Sequence, residues 1–155
     1  MLPTQDQLEE ARRYLERDCW EYGRPDLMCV VTAYFMRFAF DLRINGGWPH
    51  RENGQPCGEY GYRRANGTFC FHYWNEHRGR IIDLTAGQFG DEPIVLAKAG
   101  DPRYVPVPRY KLDPYVHDRQ GGWEIGRVWA RTWRDMRPPT QNEERADAGI
   151  PLSAR

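Results

Sequence analysis

The stretch Cys70-Phe71-His72-Tyr73-Trp74-Asn75-Glu76-His77-Arg78-Gly79-Arg80-Ile81-Ile82-Asp83-Leu84-Thr85 decides the reading of this chain. Its first half is rich in aromatic residues, its second half holds the β-branched pair Ile81-Ile82, and Arg78-Gly79 between them suits a two-residue reversal. Two antiparallel strands are predicted. With that turn His77 pairs with Arg80, and counting back sets Trp74 opposite Asp83. Alternation puts Cys70, His72, Trp74 and Glu76 on one face, so His72 lies diagonal to Asp83 and within reach of a side-chain hydrogen bond.

Outward from this hairpin the same logic applies. Asn66-Gly67 is a second hairpin signal between Glu59–Ala65 and Thr68–Glu76, so three runs form an antiparallel meander. Pro93–Lys98 and Arg103–Val107 read as further strands, with Pro106 and Pro108 confining the latter to an edge. Asn45–Gly58, rich in Gly and Pro, shows no sustained period and reads as a long loop, the rim of a cleft with Trp48 on it.

The flanks are helical. Leu8, Ala11, Tyr14 and Leu15 recur at helical spacing between Gln5 and about Trp20. Pro25 and Asp26 suit the start of a second helix, about Asp26 to Leu42, which is apolar on nearly every side and must be covered by other elements. Trp129 and Trp133 share a face of a third helix, Trp123–Met136. The fold class is therefore α+β, with the apolar helix packed on an antiparallel sheet. Residues 1–137 form one domain, and 138–155 read as a polar tail.

Composition narrows the function. A chain of 155 residues has room for one core, so a two-domain nucleotide-dependent enzyme is excluded. Lys plus Arg and Asp plus Glu both number 22, which leaves no net field toward nucleic acid or an anionic membrane. Arg127, Arg131 and Arg134 alternate with Trp129 and Trp133, but amphipathic packing explains that pattern. The apolar stretch Leu27–Ile44 is interrupted by Arg37, Asp41 and Arg43, so no membrane span is expected. Nor does a basic run with an apolar core open the chain, and the expectation is a cytoplasmic protein or one exported without a classical signal. In that setting Cys19, Cys29, Cys57 and Cys70 are read as free thiols. A zinc site from Cys57, Cys70, His72 and His77 lacks the paired C-x-x-C spacing, and His50 and His117 have no evident partners; no metal is expected.

Cys29 has the setting a reactive thiol needs. It falls three or four residues into the second helix, where unpaired amides and the helix dipole favour an anion. A thiol at the ordinary pKa of about 8.5 is only about 3% ionised at pH 7, so a neighbouring imidazole is required. His72 can supply it, and Asp83 can fix the tautomer of His72 and stabilise the imidazolium.

A Cys at the start of an apolar helix, a His on a strand in His72-Tyr73-Trp74 and an Asp on the next strand in Ile81-Ile82-Asp83-Leu84-Thr85 resemble the transglutaminase-like branch of the papain-like cysteine enzymes. The resemblance covers about Asp26 to Phe89. It implies that Cys29, His72 and Asp83 are nucleophile, base and orienter, that the nucleophile helix packs on an antiparallel sheet, and that the activity is peptidase, amidase, deamidase or acyl transferase. No cofactor is implied, and the expected partner is a protein or peptide substrate. Asp83-Leu84-Thr85-Ala86-Gly87-Gln88-Phe89 looks like the run after the Asp in small bacterial members, where Thr85 holds the loop and Phe89 packs beneath the sheet. The Cys-Trp dipeptide common in transglutaminases falls instead at Cys19-Trp20, which makes Cys19 the second candidate nucleophile. Trp48, Trp74 and Gln88 are the candidate substrate contacts, and the amide of Cys29 is the candidate oxyanion donor. An effector or toxin domain would fit these features, as would a housekeeping protein. The non-enzymatic alternative is an interaction module with an aromatic-rich surface.

Overall fold

The computed structural model describes residues 1–53, 55–109, 112 and 121–137. Among the described residues three α-helices, α1 (Gln5–Tyr14), α2 (Cys29–Phe40) and α3 (Gly122–Met136), combine with nine short strands. Helix α1 begins with a reciprocal cap between Thr4 and Gln7, then buries Leu8, Ala11 and Tyr14. Arg12 leaves its face to donate to the carbonyls of Leu84 and Pro93 at 2.6 and 2.7 Å, which fastens α1 to the sheet.

Strands β1 (Arg43–Gly47), β6 (His72–His77), β7 (Arg80–Asp83) and β8 (Val95–Lys98) form an antiparallel sheet in the order β1-β6-β7-β8. Arg78 and Gly79 both take positive φ, 46° and 76°, the conformation of a two-residue turn that matches strand twist. His77 accordingly pairs with Arg80 and Asn75 with Ile82, as the sequence predicts. A smaller sheet has the order β5 (Phe69–Cys70), β4 (Gly61–Arg63), β9 (Tyr104–Val105), and β2 (His50–Glu52) pairs with β3 (Gln55–Gly58).

The expected meander is thus divided between two sheets. Thr68–Glu76 breaks at Phe71: Cys70 pairs with Tyr62 in the small sheet, while His72 opens β6 opposite Gly47. Asn66-Gly67 does reverse the chain, but as a three-residue connection closed by Arg64 N–H to the Thr68 carbonyl at 2.8 Å. The Asn45–Gly58 loop is a further correction, since most of it is strand; β1 gains its ladder from β6, a partner distant in sequence. The predicted tail, 138–155, lies outside the described residues.

Helix α2 is central, as its composition requires, with α3 on one side and the sheet on the other. It starts at Cys29 and not at Asp26, because Leu27 sits at φ 61° and the chain closes a turn from Met28 N–H to the Pro25 carbonyl. That conformation is excluded from a right-handed helix. Leu27, counted above among the covered positions, is 88% exposed. Asn75 ties β6 to α2 by donating to the Ala33 carbonyl at 3.0 Å.

Helix α3 approaches through Gly126: a Cβ there would lie 2.6 Å from Tyr34 Cβ and 2.7 Å from the Phe35 nitrogen. Trp133 then packs edge-on against Phe35 at 5.8 Å. Gly126→Ala therefore has to push the two helices apart, and despite alanine's better helix propensity it is expected to destabilise the protein by about 1–3 kcal/mol in a denaturant titration.

Candidate active site

The candidate residues converge at the N-terminus of α2 and the first residue of β6. Two apolar groups meet there: Cys29, Ala33, Tyr34, Ile44 and Tyr73 between α2 and the sheet, and Tyr62, Trp74, Ile81, Ala86, Val95 and Tyr104 between the two sheets. His72 is fully buried and Cys29 is 4% exposed.

His72 Nε2 and Asp83 Oδ2 are 2.6 Å apart, both side chains out of water. The diagonal register anticipated from the sequence produces this contact. Asp83 is saturated: Oδ2 also accepts from the Tyr104 hydroxyl at 3.0 Å, and Oδ1 accepts from the Thr85 amide at 2.8 Å and its hydroxyl at 3.0 Å. With these donors the carboxylate can stay ionised in a dry site. Burial alone pushes the Asp83 carboxyl up, but His72 and the Thr85 donors outweigh it and hold it below the ordinary range. For His72, burial disfavours the imidazolium, and the charge and hydrogen bond of Asp83, reinforced by Cys29, overcome that and raise the pKa. Both directions describe one buried ion pair.

With Nε2 committed to Asp83, Nδ1 is the nitrogen left for the thiol. It makes no hydrogen bond within ordinary limits, yet Cys29 is near enough to favour the charged ring. The contact is looser than a formed hydrogen bond, as is common in a site without substrate. Cys29 is the first residue of α2, earlier than the three or four residues expected, which brings its thiol and amide into the turn whose N–H groups lack intrahelical acceptors.

Rings fix the imidazole. Trp74 stacks at 6.0 Å, while Phe89 and Tyr62 present edges at 5.0 and 5.8 Å. Trp74 is 1% exposed and donates to Glu76, so the expected substrate contact is instead a wall behind the histidine. For Gln88, whose plainer reading is turn chemistry and not a substrate contact, the amide donates to the Thr85 carbonyl at 3.1 Å and holds the turn after Asp83. Thr85 and Phe89 do what the sequence reading assigned them. Trp48 is half-buried, 6.5 Å from Phe71, and packs on the Cys29 group together with Val30, Phe38 and Leu112.

Cys19 is placed elsewhere, on the rim of a cavity of about 280 Å³ beside the start of α2 that Leu27, Met28, Val30, Val31, Ile125 and Trp129 also line. Burial pushes its thiol up to about 11, with help from the Asp18 charge and against a hydrogen bond from Tyr14. Burial thus works against a thiolate at Cys19, and no histidine stands beside it in the cavity lining. Cys19, Cys29 and Cys70 are free thiols. Among the described residues no group of three or more His, Cys, Asp or Glu could hold a metal ion, and no helix is long and apolar enough to cross a membrane. The side chain of Cys57 and all of His117 lie outside the described residues.

Sequence reasoning missed Tyr104 and Tyr62. Tyr104 was visible only as a residue of an edge strand, 21 positions from Asp83. No local pattern announces that pairing of β9 with β4 delivers its hydroxyl to the carboxylate.

No protein-family model matches the chain, and neither a curated protein nor a solved structure matches it.

The ion pair has a pH signature. His72, with its folded pKa raised, contributes stability that is complete below the unfolded value of about 6.5 and is lost as pH rises through the folded one. Asp83, with its folded pKa depressed, contributes stability that is complete above about 3.9 and is lost as pH falls through the folded value. Asp83→Asn is therefore expected to destabilise most between about pH 4 and 6.5, by up to about 3–5 kcal/mol. Thermal melts across pH check this; the gap from wild type should narrow on both sides of that window.

Proposed function

We propose that the protein is a cysteine-dependent amide or acyl enzyme of transglutaminase-like or papain-like type, with Cys29 as nucleophile, His72 as base and acid, and Asp83 as orienter. The observation that carries this reading is the buried 2.6 Å His72–Asp83 pair beside a thiol on the first residue of a helix. A structural histidine needs no carboxylate held by three further donors, and a structural cysteine gains nothing from the helix terminus.

In the proposed reaction the imidazolium that Asp83 holds carries on Nδ1 the proton that Cys29 has given up, and the sulfur attacks the substrate carbonyl carbon to form a C–S bond. The resulting oxyanion accepts from the Cys29 amide. As the tetrahedral intermediate collapses, the imidazolium gives its proton to the leaving nitrogen, the C–N bond breaks and a thioester remains. Water or an amine then attacks the thioester carbon, gives a proton to Nδ1 and expels the sulfur, which restores the starting pair. The acceptor decides between hydrolysis, deamidation and transfer. A protein or peptide amide is the proposed substrate, entering on the Trp48 side, where partly buried side chains border the Cys29 group.

Two measurements test this. Iodoacetamide labelling at pH 7, mapped by mass spectrometry, is expected to modify Cys29 ahead of Cys19, and His72→Ala should slow Cys29 labelling by about tenfold or more, since a thiol at the ordinary pKa is only about 3% ionised there. With p-nitrophenyl acetate, a burst of one p-nitrophenol per chain should disappear in Cys29→Ala. Equal labelling of the thiols in wild type and His72→Ala, or a burst that survives Cys29→Ala, would overturn the proposal.

A further inference from the structure

The Tyr104 hydroxyl has no part in the steps above, yet it donates to Asp83 Oδ2, the oxygen that also meets His72. Tyr104 is 3% exposed, and its ring is wedged edge-on between Trp74 at 5.2 Å and Tyr62 at 5.4 Å. Arg103 covers the ring, its guanidinium 5.7 Å from the centroid. Arg103 itself is bound by Asp101 at 2.9 Å and by Asp91 at 2.7 Å, and Asp91 also accepts from the Tyr62 hydroxyl at 2.5 Å. The phenol is therefore fixed in direction. Burial, followed by the charge of Asp83, pushes its pKa far above the ordinary value, so it remains an O–H donor.

We infer that Tyr104 is a positioning residue of the candidate site, whose hydroxyl shares Asp83 Oδ2 with the imidazole and so sets how strongly the carboxylate holds the imidazolium. A neutral donor draws off part of the charge on that oxygen without cancelling it. Thr85 fixes Oδ1, so the carboxylate cannot turn away in compensation. What this does for turnover rests on the Cys29–His72–Asp83 reading; the effect on His72 itself does not.

Among the described residues the titratable and charged groups around the imidazole are Cys29 from α2, Asp83 from β7, Tyr104 from β9, Arg103 from the turn before β9, and Tyr62 from β4. Asp91 stands behind Tyr62, Asp101 behind Arg103, and Arg64 lies over the Phe89 ring at 5.6 Å. Tyr104→Phe deletes one O–H and keeps the ring that packs on Trp74 and Tyr62, so only the donor to Oδ2 changes.

NMR titration of the labelled imidazole reads the consequence directly. In Tyr104→Phe the His72 midpoint is expected to rise by about 0.5–1 pH unit, because the full charge of Oδ2 falls on the ring. With 3-fluorotyrosine at position 104, a stronger donor of nearly the same shape, it should move down. Combined with Asp83→Asn, Tyr104→Phe should leave the midpoint where Asp83→Asn alone puts it. With p-nitrophenyl acetate as probe, steady-state release in Tyr104→Phe should fall severalfold relative to its burst, since thioester hydrolysis needs a neutral imidazole. An unchanged or lowered midpoint in Tyr104→Phe, or the same rise in the Asp83→Asn background, would overturn the inference. Failure of the enzyme reading looks different: the burst survives Cys29→Ala whatever the midpoint does.

Discussion

Everything near the site depends on an imidazole and a carboxylate held 2.6 Å apart where no water reaches them. Two charges in such a place are costly unless each remaining lone pair and proton is matched. The fold meets that condition for Asp83 with donors from three segments: His72 from β6, Thr85 from the turn after β7, and Tyr104 from β9. The last of these explains why the chain builds a second, smaller sheet. Without the pairing of β4 with β9, Tyr104 would have no fixed place, and Asp83 would lose the donor that shares its oxygen with the histidine.

The position of Cys29 is set by a different set of constraints. Gly126 lets α3 press directly on the backbone of α2, and Asn75 ties the Ala33 carbonyl, one helical turn beyond Cys29, to the strand that begins with His72. The nucleophile helix and the histidine strand are thus joined at a point three residues along β6 from the imidazole. Small errors in α2 placement would be felt at the thiol, since a thiol and an imidazole exchange a proton only over hydrogen-bond distances.

What could be read from the sequence was what depends on neighbours in the chain. Arg78-Gly79 dictates its own turn, and the turn dictates the diagonal of His72 and Asp83, so the heart of the site followed from counting. The apolar run from Leu27 to Phe40 likewise declares a helix that must be covered. The failures have separate causes. Asn45–Gly58 shows no strand period because β1 depends on β6, and a ladder with a distant partner tolerates Gly46 and Gly47, which no local propensity would choose for a strand. Helix α2 was begun too early because Leu27 adopts a conformation its side chain does not advertise. Alternation puts Trp74 beside His72, but alternation does not say which face of the sheet a second sheet covers.

The same covering bears on the proposed activity. Rings on β4, β6 and β9, with Phe89, shut the Asp83 side of the imidazole completely, so nothing can approach through the smaller sheet. On the Cys29 side the packed neighbours Val30, Trp48 and Leu112 are only partly buried, and they are side chains and not backbone ladders. An extended chain reaching Cys29 has to displace that layer, and it brings its carbonyl toward the open amides of α2 as it does so. In the proposed reaction the dry half of the site orients the proton carrier, and the half bordered by partly buried side chains is left for the group to be attacked.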